Sequence, residues 1–304
     1  HADDVAAEQR FLHWPLMFPE IFVDDSGAPR PSAGFDAIVG NPPWEMVRGD
    51  SGDRDRRRDR QLDARRITAF VRESGIYRVD ARVHANLYQW FVERALQLAR
   101  PGGRIGLVLP AGLATDTGAA PLRRYLFDRA DVDTLTGLDN REAIFPIHRS
   151  VRFVLLTCTA GRPTSSVACR FGITRADELD RDDLPADRAV TLPRAFLARL
   201  SGVDDLGIPE LATSRDLLIV ERISAHVPRL GSADGWHVQF GRELNASDDR
   251  HLFTACTGAP ETRPVVEGKQ IEPFRVALDR CRLQLRRDAS VAVPRRARLA
   301  YRDV

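Results

Sequence analysis

Apolar positions in this chain come in short runs and in helical stripes, and the two alternate most clearly between residues 35 and 138. Phe35-Asp36-Ala37-Ile38-Val39-Gly40 is a short apolar run closed by glycine, which predicts a buried strand. Asn41-Pro42-Pro43-Trp44 follows at once, at that strand's C-terminal end. Within residues 84–99, Leu87, Trp90, Phe91, Ala95 and Leu98 recur at helical spacing, and Pro101-Gly102-Gly103 is expected to end that helix. Ile105 to Leu109 predicts a second buried strand, closed by Pro110. Thr115 or Asp116 can cap a helix running to about Arg129. Val132 to Leu138 and Val151 to Thr157 predict two more strands, joined by a connection that carries Asp139, Asn140, Phe145 and Pro146. Strand–helix–strand alternation of this kind predicts an α/β chain with a doubly wound, Rossmann-like sheet.

The flanks are less regular. Phe11, Trp14, Phe18 and Phe22 cluster around Pro15 and Pro19 as an ordered lead-in that packs on a core, and Asp24 to Gly34 reads as a loop. Residues 48–66 are dominated by arginine and aspartate and are too polar to bury. The plainer reading is a solvated insertion; the functional one is a loop, including Arg48, that touches DNA phosphates. After Gly161 the pattern changes, so a boundary is expected near residue 162, giving domains of residues 1–161 and 162–304. The second stretch holds a helix near Ser214–Ala225, the aromatic segment Trp236-His237-Val238-Gln239-Phe240 and a turn centred on Gly268.

Composition narrows the picture little. The 304 residues carry a formal net charge of +2, so only local patches can speak for or against nucleic acid. Cys158, Cys169, Cys256 and Cys281 form no CxxC pair, which argues against a zinc site and fits reduced thiols in the cytoplasm. No metal is expected, and no apolar run approaches the roughly 20 residues of a membrane helix. The first residues lack an initiator methionine and a leader pattern, and the last follow a strand-like stretch; a piece of a longer protein is the expectation.

Candidate chemistry lies in Asn41-Pro42-Pro43-Trp44. An adenine amino nitrogen is a poor nucleophile because its lone pair is delocalised into the ring. Two acceptors aimed at its hydrogens hold it in line and favour the charge that develops on it. The Asn41 side-chain oxygen can be one and the Pro42 carbonyl the other, with Pro43 keeping the chain extended. Trp44 can stack on an extruded base. The C-terminal end of a strand is where open α/β sheets bind ligands. The plainer alternatives are a turn for Asn41 and a core aromatic for Trp44.

The segment from Phe35 to Trp44 resembles motif IV of the amino-methyltransferases. His13-Trp14-Pro15-Leu16-Met17-Phe18-Pro19-Glu20-Ile21-Phe22 resembles the stretch that precedes motif IV in large bacterial adenine methylases. Asn86-Leu87-Tyr88, then Pro101-Gly102-Gly103 and the strand to Pro110, resembles the succession that follows it. Glu142-Ala143-Ile144-Phe145-Pro146 resembles motif VIII, which implies that Phe145 stacks on the base from a second side. Val265 to Ile271 resembles part of a target-recognition region. The group resembled is that of type II-G restriction–modification and phage-defence adenine-N6 DNA methylases, including the BREX and DISARM methylases. Asn rather than Ser at position 41 tips the choice from cytosine-N4 to adenine.

The resemblance implies a class I methyltransferase sheet lacking its first strands, followed by part of a DNA target-recognition domain. It implies S-adenosylmethionine as cofactor, double-stranded DNA as partner, other subunits of a defence system as further partners, and DNA contacts from Arg48, Arg242 and Lys269, with Trp236 also considered. One element of the pattern is absent: residues 1–34 hold no glycine-rich cofactor motif and no identifiable ribose-binding acid, so these are expected upstream. The rival readings are a methyltransferase of RNA or of a protein amide, a non-catalytic DNA-binding or assembly subunit of a defence complex, and a bifunctional enzyme with a nuclease elsewhere.

Overall fold

The structure, a computed structural model, describes residues 12–45, 54–79, 86–180, 188–238, 241, 243–259, 262–272 and 275–291, with main chain alone for 54–61 and 63. Two compact units divide it, residues 1–229 and 230–304. The first is α/β, the class expected. In chain order its helices are α1 (Trp14–Met17), α2 (Pro19–Phe22), α3 (Arg54–Glu73), α4 (Leu87–Leu98), α5 (Gly112–Thr115), α6 (Ala120–Arg129), α7 (Arg194–Ser201) and α8 (Ser214–His226). Its strands are β1 (Phe35–Gly40), β2 (Ala99–Pro110), β3 (Ala130–Asp139), β4 (Arg152–Ala160), β5 (Ser166–Ile173) and β6 (Val190–Pro193).

The six strands form one sheet in the order β1-β2-β4-β3-β5-β6. β1 pairs parallel with β2 and β3 with β5; β4 lies antiparallel between β2 and β3, and β6 antiparallel beside β5. Hence β1, β2, β3 and β5 all point the same way. The hairpin after β3 folds back so that the later strand, β4, inserts between its neighbours.

Period-2 alternation divides the sheet's faces. Ile105, Leu107 and Leu109 of β2 pair with Cys158, Leu156 and Val154 of β4, and all six are buried on one face. That face packs against Tyr88, Val92 and Ala95 of α4, Leu122, Leu126 and Phe127 of α6, and Phe196 and Leu197 of α7. On the other face Val108, Leu155 and Phe153 join Leu138, Ile173, Trp44, Ile144 and Phe145 in a smaller cluster to which no helix contributes. Among the described residues, helices therefore cover one face through buried side chains. The α/β sheet expected from the alternation is met, with four of its six strands pointing the same way.

Several local expectations change for physical reasons. β1 is not buried: it stands at the sheet margin, and Val39 is 87% exposed. From Arg54 the arginine-rich stretch is a helix rather than an irregular insertion, since arginine, alanine and leucine are strong helix formers and α3 interleaves arginine with aspartate at i, i+3 spacing, while residues 48–53 lie outside the described residues. Pro101-Gly102-Gly103 does not cap α4, which ends at Leu98 on its Asn86-capped path, but forms the irregular start of β2 against β1. A side chain at Gly103 would lie 2.7 Å from the Phe35 carbonyl, so only glycine fits that close approach. Phe91 is half exposed because residues 76–79 draw the Trp90 and Glu93 side of α4 inward. Neither Thr115 nor Asp116 caps α6; its N-cap is Ala119, with Pro121 in the first turn. The lead-in packs as expected, Trp14, Phe18 and Phe22 each meeting the Phe35 ring edge-on at 5.5 Å.

The boundary expected near residue 162 does not divide the structure, because β5 and β6 extend the same sheet beyond it; the compact units part between Arg229 and Leu230. The second unit holds β7 (Phe253–Ala255), β8 (Pro264–Val265) and β11 (Leu283–Leu285) in a sheet ordered β7-β11-β8, and the pair β9 (Ile271–Glu272) and β10 (Arg275–Val276).

Buried Arg123 ties α6 to the chain on two sides. Its guanidinium donates to the carbonyls of Leu113, Asp116 and Asp205 at 3.0, 2.8 and 2.9 Å, and pairs with the Asp205 carboxylate. Arg123→Met leaves those acceptors buried without a donor. It is expected to lower unfolding free energy by about 3 kcal/mol, read from urea denaturation; a midpoint equal to wild type counts against this account.

Candidate functional site

Parallel alignment brings the C-terminal ends of β1, β2 and β3 to one end of the sheet, and the inserted β4 begins there. Pro110 and Leu138 both lie opposite Phe153. Asn41 extends from β1 at this end. It is exposed, and among the described residues its carboxamide has no hydrogen-bond partner. Pro42 beside it is buried, Pro43 exposed and Trp44 half-buried. A buried proline between two exposed residues anchors the turn while leaving the carboxamide outside.

The Trp44 main chain is held from α4. Asn86 Nδ2 donates to the Trp44 carbonyl at 2.9 Å, and the Leu87 amide to the Glu45 carbonyl at 2.9 Å. The Asn86 oxygen meanwhile caps α4 by accepting from the Tyr88 amide. The Trp44 indole is held from β2: Nε1 donates to the Val108 carbonyl at 3.3 Å, and the ring lies 6.0 Å from Phe153 at 33°. Trp44 is thus not the free platform its sequence position implies. It forms a fixed wall, partly packed on the core.

Phe145 is half-buried and also meets Phe153, with ring centroids 4.9 Å apart. Its position is set by Asn140, which is fully buried. Asn140 Nδ2 donates to the carbonyls of Phe145, Ile147 and His148 at 3.1, 3.1 and 3.3 Å, and its oxygen accepts from the Phe145 amide at 2.9 Å. Ala143 is left-handed (φ 56°), which lets the chain curl around that carboxamide. Beside it, hydrogen bonding from the Arg141 side chain holds the Asp139 carboxyl below the ordinary carboxylate range.

The structure therefore brings Asn41, Pro42, Pro43 and Trp44 to the strand end where Phe145 also lies, both aromatics packing on Phe153. Phe153 and Asn140 carry no functional reading in the sequence. The pairing parity of the 151–157 strand, which sets Phe153 and Leu155 on one face, was the signal for the first. Nothing in the sequence marks Asn140 as a clamp. Arg48 and Arg242 lie outside the described residues. Lys269, in the second unit, pairs with Glu267 at 2.8 Å, so a phosphate would have to compete for it; Trp236 of that unit is 78% exposed. Burial pushes the Tyr88 hydroxyl and the Cys158 and Cys169 thiols up to about 12, which keeps all three protonated at neutral pH and removes them as bases or nucleophiles.

Residues 1–145 match the Eco57I restriction-modification methylase family. The Eco57I-type match takes in the lead-in, Asn41 to Trp44 and Phe145, and ends before Phe153. No curated protein matches the chain. Among solved structures, it is similar to a modification subunit of a putative type I restriction enzyme from Vibrio vulnificus YJ016 (14% identity, TM-score 0.42, 61% of this chain and 40% of that one). It is also similar to the EcoKI M protein (13%, 0.38, 63% and 48%) and to the type IIG restriction endonuclease BpuSI (15%, 0.40, 82% and 31%). The chain thus spans from 31% to 48% of the length of these proteins.

Asn140→Ala removes four hydrogen bonds from a buried position. It is expected to cost about 2–3 kcal/mol of stability and to speed proteolysis within residues 141–149. Unchanged denaturation and unchanged cleavage would show that the 145–148 segment does not depend on this side chain.

Proposed function

We propose that this chain carries the base-gripping part of a DNA methyltransferase that modifies the N6 amino group of adenine. The exposed Asn41 carboxamide at the strand end, without a hydrogen-bond partner among the described residues and on a turn anchored by Pro42 and Asn86, is the observation that carries this reading. In it, the target adenine leaves the duplex, and its amino hydrogens are accepted by Asn41 Oδ1 and the Pro42 carbonyl. Withdrawing both hydrogens into these bonds raises electron density on nitrogen and fixes its approach. Trp44, with its indole pinned to β2, and Phe145, fixed by Asn140, border the space for the ring, and both pack on Phe153.

S-adenosylmethionine supplies the methyl group in this reading. The described residues do not fit that donor, since no glycine-rich turn among them opens a helix as an anion cradle. This reading assigns the described part of the chain to the acceptor side of the reaction. The substrate is double-stranded DNA, the setting restriction–modification or phage defence in the cytoplasm, and other subunits of such a system the further partners. Residues beyond the sheet, including the second unit with Lys269, belong to target recognition.

Asn41→Ala in the full protein is expected to lower the methylation rate at least 100-fold, the scale of losing one oriented hydrogen-bond partner at a reacting group. Duplex affinity should stay within a few-fold. Mass spectrometry of digested nucleosides reads both the rate and the modified base. Wild-type rate in the variant, or a product other than N6-methyladenine, removes the assignment.

A further inference from the structure

A cleft of about 250 Å³ opens between α3 and α4, lined by Thr68, Val71, Arg72, Tyr77, Arg78, Val79 and Trp90. Its floor is Trp90, which is 5% exposed and whose indole Nε1 is buried and, among the described residues, has no hydrogen-bond partner. A buried donor without an acceptor is uncommon in a folded protein and asks for one. Arg72 and Arg78 are exposed at the cleft, and among the described residues neither has a carboxylate partner.

The wall that bears Arg78 is rigid. Glu93 is completely buried and accepts from the amides of Arg78 at 2.6 Å and Val79 at 3.2 Å, while Gln97 donates to the Ile76 carbonyl at 2.8 Å. The Arg78 main chain is thereby held against α4. The opposite wall belongs to the helix with the densest positive charge in the chain. α3 holds eight arginines against four acidic residues, an excess of +4, where the whole chain has +2. The cleft is also close to the base site along α4, because Trp90 lies one turn, roughly 6 Å, beyond Asn86, which holds the Trp44 carbonyl.

We infer that this cleft binds backbone phosphate of the DNA that delivers the target base, through the Arg72 and Arg78 guanidinium groups and the Trp90 indole N–H. Two exposed cations lining a concave site above a buried neutral donor match a phosphodiester oxygen pair better than a cationic or purely apolar ligand. The inference rests on the DNA-methylation reading and adds to it a second, sequence-independent anchor, which holds the duplex while the base is out.

The test uses the full protein and a short mixed-sequence duplex, with affinity measured across a salt series. Arg72→Ala and Arg78→Ala should each reduce the steepness of log K against log salt by about 1, one phosphate neutralised per arginine. Trp90→Phe should weaken binding about tenfold at fixed salt and leave the slope unchanged, since a neutral donor displaces no counterion. Thermal unfolding at the wild-type midpoint shows that a variant is folded; where Trp90→Phe is not, the arginine variants decide alone. Slopes equal to wild type overturn this inference and leave the base-site reading standing. A wild-type protein that binds no duplex overturns both.

Discussion

One carboxamide couples secondary structure to chemistry in this molecule. Asn86 closes the first turn of α4 with its oxygen and, with its nitrogen, grips the main chain just after Asn41-Pro42-Pro43. Without that link the turn would leave β1 as an unsupported loop, and the orientation of Asn41 would be a matter of chance. With it, the turn inherits the rigidity of a helix that is itself buried on the sheet through Tyr88, Val92 and Ala95. Trp44 adds a second fixed point on β2. The exposed Asn41 carboxamide thus sits on a turn tied at Trp44 and Glu45.

The sheet topology explains why the aromatic residues meet. Trp44 and Phe145 are 101 positions apart in sequence and do not share an element. They approach the same ring, Phe153, because β4 inserts between β2 and β3 and so starts where those strands end. The smaller apolar cluster on that face is thus the product of a strand order, not of a local motif.

What the sequence revealed follows from the range of each signal. Local signals were readable: the apolar runs at β1 to β4, the helical stripe of α4 and the Asn-Pro-Pro-Trp turn need no knowledge of distant residues. Burial was read less well, because it depends on what covers an element. Phe35 to Gly40 has the composition of an interior strand, yet Val39 faces solvent. The 54–66 stretch was read as irregular because polarity was weighed above helix propensity. The division near residue 162 was misplaced because a change of pattern does not reveal that β5 returns to pair with β3. Asn140 was invisible for the same reason: its partners are carbonyls, which no residue type announces.

The margin of the sheet has a consequence for handling the protein. Among the described residues β1 has a hydrogen-bonded neighbour only in β2, and it presents Val39 beside main-chain groups that are free to pair. Such a border is a template for another strand. Wherever nothing lies over it, self-association should grow with concentration, and a single lysine at position 39 should be enough to keep copies of the molecule apart in solution.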